Sequence, residues 1–313
     1  MIKKIFCICL ALVMLLASAV ACSPKDDGRI TVICTVFPLY DWTRQIVGDN
    51  ENIEVKLLIS DGADLHSYQP TADDIIAIDQ AELVVRVGGV SDSFLNELLK
   101  NEKEKDISLI HAEGMTVRHI SKESHSHEGE DPHDHADDEH IWLSIKNAKA
   151  SVRAICDALC DLDGENAESY RKNAEEYSAV LDDLHGRFEE TVLNGSRKKL
   201  LFADRFPFVY LTEDYGIEYA AAFEGCTTEA DATFETVTRL ASTLDDWKLP
   251  YVCVTESGDT ELAKSIINAS KSKNAQILVF DSMQSVSVSD AAKGVSYTGI
   301  MEENLKVLAT ALS

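Results

Sequence analysis

Basic residues are scarce in this sequence. Against 54 Asp and Glu stand only 29 Lys and Arg, a formal net charge of −25. That imbalance excludes nucleic acid and anionic lipid headgroups as natural partners, and it favours cations. Catalytic signatures are missing too. The chain contains no His-Glu-x-x-His zinc helix, no nucleophile elbow and no phosphate-binding loop. A metal-dependent hydrolase needs an open coordination position and a general base, and nothing marks either, so the chain reads as a non-enzyme. Beyond residue 21 no apolar run approaches the roughly 20 residues that a bilayer-spanning helix needs. A regular cysteine framework is also absent. Of 8 Cys, three fall at or before residue 22, and Cys34, Cys156, Cys160, Cys226 and Cys253 have no regular spacing. An odd, irregular set excludes a disulfide scaffold. Cys34 and Cys253 lie in apolar strand-like runs as small hydrophobes. Cys156 and Cys160 share a helix face as packing residues.

The first residues have a distinct pattern. Lys3 and Lys4 precede an uncharged run from Ile5 to Val20, which ends in Ala19-Val20-Ala21-Cys22 and a polar stretch. Charge, apolar run and small residues in that order predict a secretory signal over 1–21. Cys22 after the small residues resembles a bacterial lipobox, although Ala19 stands where Leu is more usual. Lipidation at Cys22, with 22–28 as a tether, would place the rest of the chain outside the cell, attached to the membrane.

Two stretches alternate short β-rich runs with helical patterns, which predicts parallel sheets flanked by helices. The N-terminal lobe spans 29–162, with strands over Arg29–Cys34, Ile53–Ile59 and Leu83–Val87 and helices over Pro38–Val47, Ala72–Gln80 and Ser93–Lys100. The C-terminal lobe spans 196–313. Its strands are expected over Lys199–Phe202, Glu218–Ala222, Tyr251–Thr255 and Gln276–Phe280. Its helices are expected over Phe206–Tyr215, Ala232–Trp247, Thr260–Lys271 and Tyr297–Leu312. Between the lobes, Tyr170, Ala174, Tyr177, Leu181, Leu184 and Phe188 recur at steps of three and four, a single helical stripe. With Asp163 as N-cap and Gly195 as stop, residues 163–195 form one long linker helix. The fold class is therefore α/β, two lobes joined by one helix.

Histidine is concentrated rather than spread. His119, His125, His127, His133, His135 and His140 fall in one short window, within and around the segment 121–139. That segment has no apolar periodicity and reads as a disordered loop. Histidine-rich tracts bind metal, and imidazole suits Zn²⁺, Cu²⁺ and Ni²⁺. A flexible tract binds heterogeneously, so His125, His127, His133 and His135 are auxiliary, gathering ligands.

A specific site belongs on rigid elements. In open α/β sheets ligands bind beyond the carboxyl ends of strands. His66 follows the second strand. Asp204, Glu256 and Asp281 each follow a strand of the C-terminal lobe. His140 stands where regular sequence resumes after the loop. Any one of these alone is an ordinary cap or turn residue, but their convergence points to a cation site.

These residues carry a family resemblance. Gly62-Ala63-Asp64-Leu65-His66-Ser67-Tyr68-Gln69-Pro70 resembles the GAxPHxYEP segment of zinc and manganese solute-binding proteins of ABC importers, the ZnuA-like group. Glu139-His140-Ile141-Trp142-Leu143-Ser144 resembles their DPHxWLSP segment. Asp163–Tyr170 is similar to the start of their linker helix, and Met301-Glu302-Glu303-Asn304-Leu305 to their closing MxxxNL helix. The likeness runs from about Arg29 to the C-terminus. It implies that His66 and His140 ligate metal from the N-terminal lobe and Asp281 from the C-terminal lobe. The third ligand departs. The family has His or Glu shortly before a helix ending in Tyr-Gly, and counting back from Tyr215-Gly216 reaches Arg205. A guanidinium is cationic and offers no lone pair to a cation, so Asp204 is the candidate, with Glu256 or water as alternatives. Two His and two Asp suit Zn²⁺ or Mn²⁺, and the His-rich loop favours zinc. The implied role is a monomeric extracytoplasmic lipoprotein that delivers zinc to a membrane permease with its ATPase. The alternatives are a manganese-specific member of the family or a surface adhesin.

Overall fold

The structure is a computed structural model that describes residues 28–59, 65–118, 137–225 and 232–313. The signal segment, Cys22, residues 62–64, the His-rich loop with its four histidines, and Cys226 lie outside the described residues.

The N-terminal lobe holds strands β1 (Ile30–Cys34), β2 (Ile53–Leu57), β3 (Leu83–Arg86) and β4 (Asp106–Ser108), all parallel, in the order β2-β1-β3-β4. Its helices are α1 (Phe37–Val47), α2 (Ala72–Gln80), the short α3 (Leu95–Leu98) and α4 (Ile145–Leu162). The linker helix α5 (Ala167–Asn194) follows a 3-10 turn over Gly164–Asn166. The C-terminal lobe repeats the arrangement. Strands β5 (Lys199–Phe206), β6 (Glu218–Glu224), β7 (Tyr251–Thr255) and β8 (Gln276–Phe280) are parallel in the order β6-β5-β7-β8. Helices α6 (Val209–Asp214), α7 (Phe234–Trp247), α8 (Thr260–Ala269), α9 (Val288–Ala292) and α10 (Tyr297–Leu312) complete it. Strand order therefore reverses between β1 and β3 in one lobe and between β5 and β7 in the other, the crevices where α/β sheets bind ligands.

The linker stripe is as the spacing predicts. Tyr170, Ala174, Tyr177, Leu181, Leu184 and Phe188 are all buried, and Val192 extends the row. Burial of a large apolar side chain contributes about 1.5–3 kcal/mol, so the stripe couples the helix firmly to both lobes. Asp163 anchors the helix start through its side chain. Its Oδ2 accepts from Tyr170 Oη at 2.6 Å, Asn166 Nδ2 at 2.9 Å and Asn50 Nδ2 at 3.2 Å.

Several bonds tie the lobes directly, and three of them meet around Trp142 and Tyr297. Asp41 on α1 accepts the Tyr297 N–H at the start of α10 (3.0 Å), and Tyr297 Oη donates to the Trp142 carbonyl (2.8 Å). Trp142 Nε1 donates to the Ser282 carbonyl at 2.9 Å. Buried hydrogen bonds of this kind fix one relative placement of the lobes.

Several elements differ from the sequence reading: β4 and α9 were not expected, α3 and α6 are shorter than expected, and the linker helix starts at Ala167 with Asn166, not Asp163, at its N-cap. Helix α4 was expected only around Cys156 and Cys160 and in fact runs over Ile145–Leu162, with Ile145, Ala148, Val152, Ile155, Cys156 and Leu159 on its buried face. Strand β5 runs four residues beyond Phe202, through a register shift between Phe202 and Arg205. Asp204 thus lies inside a strand and does not follow one.

Candidate metal centre

The two histidines expected as ligands meet. His66 sits in a 3-10 turn over Leu65–Ser67, and His140 immediately precedes another over Ile141–Leu143. Their Nε2 atoms are 3.2 Å apart and their rings 5.2 Å apart between centroids. Zn–N bonds of about 2.0–2.1 Å at a tetrahedral angle put two ligand nitrogens about 3.3 Å apart. The pair therefore has the spacing of two imidazoles on one cation.

Each ring is held from its far side. His140 Nδ1 lies 2.8 Å from Asp138 Oδ1, which also accepts the His140 N–H at 2.8 Å. Both residues are 1% exposed. An Nδ1–H donated to a carboxylate leaves the Nε2 lone pair for a cation and raises its basicity. His66 Nδ1 lies 2.9 Å from Ser91 Oγ and 3.7 Å from Glu139 Oε2. Ser91 belongs to the loop after β3, at the point where strand order reverses. There Gly88, at φ +97°, turns the chain so that its N–H reaches Asp92 (2.9 Å). Burial pushes the Asp92 carboxyl up to about 6, with the charge of Glu139 adding to the rise, while the Gly88 N–H and Arg86 oppose it.

Asp138 also joins the lobes. Its carbonyl accepts from Tyr210 Oη on α6 at 2.6 Å, and the same hydroxyl accepts the Arg118 N–H at 3.1 Å. The Asp138 N–H in turn donates to the Arg118 carbonyl at 2.7 Å. Both described ends of the segment that carries the His-rich loop are therefore pinned to one tyrosine.

The carboxylates of the C-terminal lobe are placed differently. Among the described residues, no third His, Cys, Asp or Glu joins the histidine pair in a group able to hold a metal. Both oxygens of Asp204 are engaged within its own lobe. Oδ2 accepts from Thr255 Oγ1 (2.5 Å) and the Thr255 N–H (3.2 Å), and Oδ1 accepts the Arg205 N–H (2.8 Å). A Cβ at Gly258 would overlap this carboxylate, so it packs directly on the loop after β7. Glu256 is engaged as well. Its oxygens accept from the Ser282 N–H and Oγ, both at 2.8 Å, and from Ser285 Oγ at 3.3 Å. Asp281 is the least committed, with Oδ1 accepting the Met283 N–H at 2.7 Å. Burial, then the neighbouring charge of Glu256, pushes its carboxyl up to about 6, against the Met283 N–H. A carboxyl in that state gains from a nearby cation. A separate polar groove of about 820 Å³ lies between Gly48–Asn52 and the linker helix, lined by neither histidine.

The family described as the periplasmic zinc-uptake complex component A matches residues 32–311. The chain belongs to this family. Zinc-binding lipoprotein AdcA of Streptococcus pneumoniae is 28% identical over 309 residues, covering 98% of this chain and 60% of that protein. The high-affinity zinc uptake system protein ZnuA of Bacillus subtilis is 25% identical over 291 residues, covering 92% of this chain and 89% of that one. The chain thus spans about 60% of the length of AdcA. Among solved structures, Zn(II)-bound AdcA from S. pneumoniae superposes with a TM-score of 0.72 at 25% identity, over 91% of this chain and 58% of that one. The metal-dependent lipoprotein YcdH from B. subtilis gives 0.74 at 24%, over 91% and 99%, and shares the fold. The two-lobe architecture of parallel sheets is that of these proteins. Members of the family are solute-binding components and not enzymes, in keeping with the missing catalytic signatures.

Among the residues around the histidine pair, sequence reasoning missed Ser91, Asp138, Glu139 and Tyr210. Two of them had a signal. Asp138 and Glu139 directly precede His140, and a carboxylate next to a candidate imidazole ligand is the usual partner of its second nitrogen. Ser91 and Tyr210 are distant in sequence and only the fold brings them in. No described helix is long and apolar enough to cross a membrane.

Proposed function

We propose that this chain captures Zn²⁺ between His66 and His140 outside the cell and delivers it to the permease of an ABC importer with its ATPase. The observation that carries this reading is the 3.2 Å separation of the two Nε2 atoms, each on a ring held by a partner at Nδ1. Two neutral imidazoles favour Zn²⁺ over Mn²⁺, which prefers oxygen donors. Asp281 is the C-terminal carboxylate best able to complete the shell, because Asp204 and Glu256 already have both oxygens engaged. Water or a shift of the lobes supplies what remains. The His-rich loop gathers metal at His125, His127, His133 and His135 ahead of the tight site. A lipid on Cys22 keeps the protein at the membrane, where it works as a monomer.

Both imidazoles must be neutral to bind, so capture weakens in acid. Titration of the metal-free protein with Zn²⁺ against a chromophoric chelator tests the reading. One tight equivalent, retained when 121–136 is deleted and displaced poorly by Mn²⁺, is the expected result. Loss of the tight equivalent in that deletion would place capture on the loop and end the proposal.

A further inference from the structure

Glu139 has an unusual setting for a carboxylate. It is 6% exposed. Its Oε1 accepts the Ser91 N–H at 2.7 Å, while Oε2 is buried and has no hydrogen-bond partner. That oxygen lies 3.7 Å from His66 Nδ1. The backbone makes room for it, since a Cβ at Gly89 would run into the carboxylate. A buried anionic oxygen with no donor is costly and persists where a positive charge compensates it. The nearest group that can become more positive is the His66 ring when its Nε2 holds a dication.

We infer that Glu139 is a positioning residue for His66, its carboxylate facing the Nδ1 edge so that the proton is held at Nδ1 and Nε2 turns its lone pair to the cation. The inference rests on the zinc-site reading above and deepens it. His140 already has such a partner in Asp138. Glu139 gives His66 the second one, reinforced by Ser91, whose Oγ meets the same Nδ1 and whose N–H holds the carboxylate. The three consecutive residues Asp138, Glu139 and His140 thus supply one ligand and the carboxylates behind both rings. A negative charge at Glu139 offsets part of the charge of a bound dication. It does so from the N-terminal lobe alone.

Glu139→Gln, Glu139→Asp and His66→Ala in the full-length mature chain test this. Zinc affinity is read by chelator competition. The His66 tautomer is read in the metal-free protein by long-range ¹⁵N–¹H NMR, with His66→Ala assigning its signals. Glu139→Gln should weaken zinc binding by about 10–100-fold, the range for outer partners of metal-bound histidines. It should also convert His66 from a single Nδ1–H form to a mixture, leaving His140 unchanged, and Glu139→Asp should restore part of both. If Glu139→Gln does not fold, Ser91→Ala keeps the backbone N–H to Glu139 and should shift the His66 tautomer alone. Wild-type affinity and tautomer in Glu139→Gln, with the tight site lost in His66→Ala, would overturn the inference and leave the zinc site standing. A tight site that survives His66→Ala would overturn the zinc-site reading instead. A larger loss with an altered Co²⁺ absorption spectrum and an unmoved tautomer would make Glu139 a ligand and refute the positioning role.

Discussion

The two lobes share one strand order but use their crevices in opposite ways. In the N-terminal lobe, the loop after β3 at the reversal point holds Ser91, which orients Glu139 and His66. In the C-terminal lobe, the corresponding crevice between β5 and β7 is filled by Asp204, bonded to Thr255 and packed on Gly258. The topology provides two equivalent places for a ligand, and only one is left available by its side chains. Position at a strand end is therefore a necessary signal and an insufficient one. What decides is whether the polar atoms there already have partners within the fold. The N-terminal lobe leaves two imidazole Nε2 atoms facing each other. The C-terminal lobe satisfies Asp204 and Glu256 internally and leaves Asp281 with one short backbone bond.

The largest effect that sharpens this contrast is expected at the histidines. His140→Ala removes one of two imidazoles from a small site and should weaken zinc binding by more than about 100-fold, beyond the range of outer-partner changes. His66→Ala should do the same in a competition titration. Substitutions at His125 or His133 should change the tight affinity little, because loop histidines replace one another. An equal loss at His133 would erase the distinction between site and loop.

Next come the two aspartates, where the lobes can be separated by measurement. Asp281→Asn should weaken zinc binding about 10-fold or more with little effect on urea unfolding. Asp204→Asn should do the reverse. It turns an amide N–H₂ towards donors at Thr255 or Arg205, at a cost of about 1–3 kcal/mol of stability, with zinc affinity within a few-fold of wild type. Strong zinc loss in Asp204→Asn with unchanged unfolding would return Asp204 to the metal and break the comparison.

The sequence placed the framework well for a physical reason. Strands β7 and β8 and helices α2 and α10 have the expected bounds, because each carries a run or a stripe ended by clear punctuation. β5 was harder. Asp204 and Arg205 look like the end of a strand, yet the strand continues because Thr255, distant in sequence, satisfies the carboxylate. α4 carried its own signal in the spacing of Ile145, Ala148, Val152 and Ile155, overshadowed by the histidine window before it. That His66 and His140 meet was foreseeable from their motifs. Ser91 and Tyr210 were not, since hydrogen bonds between lobes and across loops leave no periodic trace in sequence.

Tyr210 tests how far the lobes act together. Its hydroxyl joins the Asp138 carbonyl and the Arg118 N–H. Tyr210→Phe should lower stability by about 1 kcal/mol in urea unfolding, and it should weaken zinc binding only a few-fold, through Asp138. Unchanged values in both measurements would mean that the Tyr210 hydroxyl does not help hold His140, and that the bonds of Ser282 and Tyr297 to Trp142 suffice.

The smallest effect is expected at Asp163, where the N-terminal lobe hands over to the linker helix. The hydrogen bond from Tyr170 Oη, which leads the two asparagine contacts in effect, holds its carboxyl below the usual aspartate range, against a modest opposing effect of burial. A carboxyl lowered in the folded state stabilises the fold at pH values above its unfolded pKa of about 3.9. That contribution is lost as pH falls through the lower folded value. Asp163→Asn should therefore be less stable than wild type at pH 7 by about 1 kcal/mol or less. The gap should be constant from neutrality down to about pH 5 and close below about pH 4, as the wild-type carboxyl takes up its proton. Urea unfolding of both proteins across this range reads the gap directly. A gap that persists at the acid end would show that the helix start depends on the shape of Asp163 and not on its charge.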